Sequence, residues 1–417
     1  MGATMIEKIL AASSGTGAVS VGDIVFARPH KILTHDNSAA IIKIFEGLGG
    51  SRVWDPDRIF IALDHAVPPP DHKKAQNHSI IRKFVDRNGI RDFYDCGCGI
   101  CHQVLPEEGH VVPGVVILGS DSHTTTHGAL GAAGIPIGRT EAASVWALGE
   151  TWLKVPATIK IDLRGELRPG VVAKDVILHI IGRITADGAT YKAVEFHGPV
   201  TRKMDIGSRM TLCNMAAEMG AKAGMVPFDD VTAEYLAGRV DEDFEPMNPD
   251  GDAGYEKVLE IDCSALGPQV ACPHKVDNVV PVEDAGEVEI DVALLGTCTN
   301  GRIEDLRQAA AVLEGKRIKK GVRLLVYPAS RQVLDQAYRD GTASILLDAG
   351  AQIAVPACGP CLGAYGGVLA PGENCVSTAN RNFKGRMGCK EDTGVYLASP
   401  ATVAASALAG RIVPAGG

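Results

Sequence analysis

Three thiols stand where a chain could present them to a single ligand. Cys298 lies in LLGTCTNGR, and Cys358 and Cys361 bracket the CGPC of PACGPCLGAYGG. Each follows an apolar run that predicts a strand, so two strand-end loops could bring the three sulfurs together. Three cysteines without an evident fourth suit a metal centre with one open coordination position, such as an iron–sulfur cubane acting as a Lewis acid. Two other readings use the same letters. CGPC is also the spelling of thioredoxin-like dithiols, although no Trp precedes it, it arrives late, and Cys298 competes as a partner. A structural zinc would need a fourth His or Cys from elsewhere, and no second paired motif is present.

Acid–base groups form a second set. Asp64-His65 ends RIFIALDH, His102 follows GIC, and Asp121-Ser122-His123 ends VVILGSDSH. A strand-end carboxylate beside an imidazole fixes its tautomer and raises its basicity, as proton transfer near neutral pH requires. Asn214 and Glu218 in CNMAAEMG share one helical face by their i, i+4 spacing. Arg381 and Arg386 in NRNFKGR offer planar forks for carboxylates, which implies an acidic substrate. The remaining histidines (His30, His35, His72, His78, His110, His179, His197 and His274) lack this placement and read as background. Cys213, Cys263, Cys272, Cys375 and Cys389 stand singly and read as small packing residues. Cys96 and Cys98, in DCGCGICH, form a Cys-x-Cys-x-x-Cys spacing with Cys101 that could hold a metal.

Positioning these loops calls for layered α/β structure. From about Val53 apolar strands alternate with glycine or polar breaks and helix-period stretches, the pattern of parallel sheets whose strand-end loops bind ligands. The 417 residues contain 48 Gly and only 5% aromatics, with 46% hydrophobic and 22% charged, a balance suited to many βα turns in two or three domains. We expect units over 1–155, 156–285 and 286–417, with CPHKVDNVVPVEDAGEVE as a linker or exposed crossing. A formal charge of −9 and no clustered basic stripe disfavour nucleic-acid binding. No apolar run suggests a signal h-region or a membrane span, so a cytoplasmic protein is expected, in which the 11 cysteines serve as thiols or ligands.

With those residues placed, the sequence resembles the aconitase superfamily, and within it the large subunits of the two-subunit isopropylmalate dehydratase and homoaconitase type. The resemblance runs through ALDHAVP, GICHQVLPE, GSDSHTTTHGALG, CNMAAEMGAKAG, LLGTCTNGRIEDL, ACGPCLG and NRNFKGRMG. It implies three α/β/α domains and a hydro-lyase acting on a hydroxy diacid, with a 4Fe-4S cluster on Cys298, Cys358 and Cys361. It pairs Asp64 with His65, Asp121 with His102 and Glu218 with His123, making His65 the acid toward the leaving hydroxyl. Ser122, Asn214, Arg381 and Arg386 would meet substrate, and Asn300 the cluster. It also implies that a swivelling fourth domain, carrying the catalytic serine, comes from a separate small subunit. Isopropylmalate isomerisation in leucine biosynthesis is the favoured activity; homocitrate, maleate, citraconate and dimethylmalate remain alternatives, and an RNA-binding regulator a distant one. Ala40 stands where aconitase proper carries a glutamine, and Arg139 where a small residue is expected.

Overall fold

The computed structural model describes residues 2–415. Its framework is three sheets, each built around parallel strands. In the first, the order across the sheet is Asp92–Tyr94, Ile59–Ala62, Lys31–Thr34, Val116–Gly119, Ala133–Pro136, all parallel. The second runs Ala223–Met225, Ala193–His197, Thr158–Arg164, Lys257–Asp262, again parallel. The third has seven strands, in the order Val279–Pro281, Gln269–Ala271, Gly394–Leu397, Asn374–Ser377, Val292–Gly296, Arg323–Tyr327, Gln352–Ile353.

The central strands read as unbroken apolar text because both their faces are covered. All four residues of IFIA (Ile59–Ala62) and all five of VALLG (Val292–Gly296) are buried. Met5, Ile9, Phe45, Phe84 and Trp146 cover the outer side of the first sheet. Leu306, Leu346 and Val403 do so for the third. A separate cluster containing Leu33, Phe60, Ile161, Phe196, Leu212 and Leu294 draws on all three sheets and fuses them. Residues Cys272–Asn278 form the turn of an antiparallel hairpin between Gln269–Ala271 and Val279–Pro281 rather than a linker, so the third sheet recruits residues ahead of position 285. The segment's Pro and Asp breaks at 273–277 serve the hairpin's turn, whereas the acidic breaks from Glu283 to Glu289 follow the hairpin and lead to Val292–Gly296.

Strand order locates the chemistry. In the first sheet the chain starts at Lys31–Thr34, moves outward through Ile59–Ala62, then returns to the opposite side with Val116–Gly119. The third sheet repeats this: from Val292–Gly296 it runs outward through Arg323–Tyr327 and returns with Asn374–Ser377. Each reversal opens a crevice at the carboxyl ends of the diverging strands. The loops at the first crevice carry His35 and Asp121, and those at the second carry Cys298 and Asn380.

Candidate active site: an acid–base wall facing three sulfurs

The two crevices meet around a cavity of about 250 Å³ whose walls include His65, His102, Asp121, His123, Cys298, Cys358, Cys361, Asn380, Arg381 and Arg386. On the first-sheet side, His65 Nδ1 donates to Asp64 Oδ1 at 2.5 Å, and Asp64 Oδ2 accepts the Cys101 amide at 2.7 Å. His102 Nε2 donates to Asp121 Oδ1 at 2.8 Å, and His123 Nε2 meets Glu218 Oε1 at 2.8 Å. Burial by itself would lower the His65 pKa, but Asp64, the Cys358 sulfur and Asp121 outweigh it and hold the imidazole well above its ordinary value. Asp121 is kept well below the carboxylate range: burial opposes this, and hydrogen bonds from His102, His123 and His65 overcome it.

Glu218 links the helical arm to the arginines. Its Oε1 also accepts Arg381 Nε at 2.8 Å, and Arg381 Nη2 donates to Ser122 Oγ at 2.9 Å. Asn214, at the end of the helix Ile206–Ala216, donates to Cys298 Sγ at 3.3 Å and to Thr126 Oγ1 at 2.9 Å. Arg386 Nη2 lies 3.4 Å from Cys361 Sγ. Burial would raise the Cys361 pKa, yet Arg386, with His123 and Arg381, holds it below the ordinary thiol value.

The sulfur turns are shaped by two glycines. Gly296, with φ 139°, lets the strand turn sharply beneath Cys298; a Cβ there would lie 2.1 Å from the Tyr327 carbonyl oxygen. Gly359, inside CGPC, has φ 56° and packs so closely on Tyr327 that a Cβ would sit 2.5 Å from the ring. No disulfide joins Cys358 and Cys361; both are free and buried. The Cys358 amide donates to the Asp64 carbonyl at 2.9 Å, and Ile100 packs against both Cys298 and Cys358, so the two walls are tied by backbone and by packing.

The donor set fits an iron–sulfur cluster. Three thiols converge from two turns, amide and guanidinium N–H groups already point at Cys298 and Cys361, and three buried polar atoms on the cavity walls, His35 Nδ1, Thr297 Oγ1 and Arg386 Nε, have no partner among the described residues. A dry zinc cage would not explain those orphaned donors.

Not every residue singled out in the sequence reaches the cavity. Asn300 donates to Asp305 Oδ1 at 2.8 Å and to Thr211 Oγ1 at 3.2 Å, and the amide that joins Asn214 beside the sulfurs is that of Asn380, 3.5 Å from Cys298 Sγ. The reason is local: Asn300 ends a short helical turn whose carboxylate neighbour captures its side chain. Asn380 stands one residue before Arg381, within a motif already quoted, and its adjacency was the available signal. Asp36 is a further residue missed by sequence reasoning. Its carboxylate accepts the amides of Asp64, His65 and Ala66 at 2.9, 2.7 and 3.0 Å and so supports the whole acid loop. It follows the strand Lys31–Thr34 just as Asp64 follows its own, a placement that could have revealed it. His35, set aside as background, stacks on His65 with centroids 3.8 Å apart. Lys174, fully buried, donates to the Thr378 and Ala379 carbonyls at 2.6 and 2.7 Å and pins the turn leading to Asn380. A lysine inside an apolar helix carried no visible cue. Arg139 lines the cavity and an adjoining one of about 640 Å³ that also contains Ala40.

The geometry has relatives. The family model described as the Aconitase family (aconitate hydratase) matches residues 7–410. The "3-isopropylmalate dehydratase large subunit 1" of Methanopyrus kandleri is 54% identical over 413 residues, spanning 99% of this chain and 98% of its own. The corresponding large subunit of Halothermothrix orenii is 46% identical over 99% and 98% of the two chains. A "Probable methanogen homoaconitase large subunit" of Methanosarcina mazei is 49% identical over 91% of this chain and 96% of its own. Among solved structures, aconitase X of Thermococcus kodakaraensis superposes with a TM-score of 0.51 at 14% identity over 93% of each chain, a likeness of fold. Matched over nearly all its length, the chain belongs to the aconitase family.

Proposed function

We propose that this protein is the large subunit of a hydro-lyase that removes and re-adds water on a hydroxy diacid, with interconversion of 2- and 3-isopropylmalate as the favoured reaction and a homoaconitase-type substrate as the alternative. The observation that carries the reading is the meeting of His65 Nε2 with the sulfur wall, 3.8 Å from Cys358 Sγ and 3.6 Å from Asp121 Oδ2. A 4Fe-4S cluster on Cys298, Cys358 and Cys361 supplies, when bound, a Lewis acid toward the substrate's hydroxyl and carboxylate.

The chain's own residues do the rest. His65, held protonated by Asp64, keeps its Nε2 proton facing the cavity and delivers it to the departing hydroxyl, a role worth ~10²–10⁴-fold in rate. Asp121 holds His102 and His123 in fixed tautomers around it. Arg381 and Arg386 bind substrate carboxylates; Arg381 is pre-oriented by Glu218 and Ser122, so little side-chain freedom is lost on binding. Asn214 and Asn380 orient the sulfurs through N–H contacts. Asn300 acts from behind, fixing the Cys298 turn through Asp305. None of these groups is an evident base for the carbon-bound proton. We assign that base to a serine on a small subunit that bears the swivelling domain and closes over the cavity. Among the described residues no helix is long and apolar enough to cross a membrane.

The test is anaerobic co-purification with the small subunit. We expect about four irons per chain, from the three-cysteine ligand set with one open position, and turnover of isopropylmalate or homocitrate only when both chains are present. Stoichiometric zinc without iron, or enzyme-like turnover (~1 s⁻¹ or more) by the large chain alone, would refute the cluster or the shared active site respectively.

A further inference from the structure

Cys96 and Cys98 lie outside the cavity, yet one of them has a built environment. The Cys98 amide donates to the Asp95 carbonyl at 3.2 Å, closing a turn over Cys96 and Gly97, with Gly97 at φ 90°. The turn sets Cys96 and Cys98 two positions apart on one short loop, so a disulfide between them forms only if that loop brings their sulfurs together. Both thiols are free and half-buried. Cys101 is not a third partner: it is fully buried in the core, and the metal-capable groups whose ligand atoms lie within 4.8 Å of one another among the described residues are His35, Asp36, Asp64 and His65, with none of Cys96, Cys98 and Cys101 among them.

Behind Cys96 lies an imidazole that the proposed reaction does not use. His78 is 1% exposed. Its Nε2 donates to Asp36 Oδ1 at 2.7 Å, which leaves Nδ1 as an acceptor 3.6 Å from Cys96 Sγ, with no other partner for that nitrogen among the described residues. Arg82 Nη2 lies 3.9 Å from the same sulfur. Thiol, imidazole and carboxylate thus stand in series, the arrangement by which a base activates a nucleophile. Burial and the Asp95 carboxylate push the Cys96 thiol up to about 11, so at rest it holds its proton and needs a base to attack.

We propose that Cys96 and Cys98 form a thiol–disulfide exchange site, in which His78, oriented by Asp36, serves Cys96 as base and Cys98 resolves the product. The co-reactant is a low-molecular-weight disulfide, RSSR. Cys96 sulfur attacks one sulfur of RSSR while its proton passes to His78 Nδ1; a Cys96–SR bond forms, the RS–SR bond breaks, and the departing RS⁻ leaves as RSH with that proton. Cys98 sulfur then attacks Cys96 sulfur, giving the Cys96–Cys98 disulfide and a second RSH. Two protein thiols lose two electrons, and one small disulfide is reduced to two thiols. The change is felt next at Asp36: withdrawal of the Cys96 sulfur leaves a buried imidazole nitrogen unpartnered beside the carboxylate that supports Asp64, His65 and Ala66.

The site rests on contacts independent of the hydro-lyase reading, and its first test needs no turnover. The holo chain is treated anaerobically with oxidised glutathione, alkylated and digested. We expect the peptide bearing Cys96 and Cys98 to be lighter by two hydrogens and unalkylated. Cys98→Ser should stop at a glutathione adduct on Cys96, and Cys96→Ser should leave Cys98 reacting ~10-fold or more slowly, having lost its base. Separate alkylation of both thiols would overturn the pair, and equal rates in the two variants would overturn the role of His78. In the reconstituted two-chain enzyme, glutathione disulfide should lower turnover reversibly in the wild type and not in Cys96→Ser; equal response of the two would overturn the link to Asp36.

Discussion

The two walls of the cavity are finished to different degrees. On the first-sheet wall each carboxylate has its partners within the chain: Asp64 holds His65 and the Cys101 amide, Asp121 holds three imidazoles, and Asp36 holds three backbone amides and His78. Among the described residues the third-sheet wall leaves Thr297 Oγ1 and Arg386 Nε unpaired, against His35 Nδ1 on the first-sheet wall, and its three thiols face one another across a gap. A buried donor without an acceptor costs about 1–3 kcal/mol. The carboxylates of the acid–base wall are therefore preorganised by the protein alone, whereas the sulfur wall is completed by what it binds.

Breaking each wall should have distinguishable effects. The largest is expected for Cys298→Ser, which should lose the iron chromophore and reduce turnover to background, because the missing ligand belongs to the incomplete wall. His65→Ala should lower turnover by ~10²–10⁴-fold with iron content unchanged; iron loss in that variant would show that the two walls are not separable. Arg381→Lys comes next. An ammonium cannot bridge Glu218 and Ser122 as a planar fork does, so KM should rise by ~10–100-fold with a smaller effect on kcat.

The smallest effect tests the seam between the walls. Glu107, ending the helix Cys101–Glu107, accepts a hydrogen bond from Ser330 Oγ at 2.9 Å, and burial, outweighing that bond and one from Gln103, pushes its pKa up to about 7. The folded state therefore binds a proton that the unfolded chain releases near pH 4.5. Stability from this group is fully present below that value, falls as pH rises toward 7, and stays reduced above it. Glu107→Gln should accordingly stabilise the protein at pH 8 by on the order of 1–2 kcal/mol and less at pH 5, as read by chemical denaturation. An equal gain at both pH values would contradict the assignment.

How much of this was legible follows the same division. Strand ends marked by Asp-His, Asp-Ser-His and the cysteine turns were readable because parallel strands buried on both faces are unbroken apolar runs, and whatever polar group ends them must lie at the carboxyl edge. Asp36 ends its strand in the same way, yet a lone Asp-Asn pair resembles any turn, and its function depends on amides 28 to 30 residues away. Asn300 and Asn380 look alike as letters; which amide meets sulfur depends on Asp305 capturing the first. Lys174 was invisible because its partners are backbone carbonyls some 204 residues distant, which leave no trace in the composition around it. His78 and Cys96 were separable from background only once the fold placed them together.

The bond between the Cys358 amide and the Asp64 carbonyl has a consequence in time. His65 and Cys358, its neighbours across the cavity, are 293 positions apart. At ~5–20 residues per second, synthesis of that interval takes roughly 15–60 s. The first sheet has its strands complete by Pro136 and can fold early, so its charged dyads wait at an open surface while the rest emerges. The cysteine turns arrive last, onto a platform already built. A nascent chain halted before Cys358 would hold a finished acid–base wall and no second wall, which makes ribosome-bound intermediates of stepped length a direct view of how this cavity is assembled.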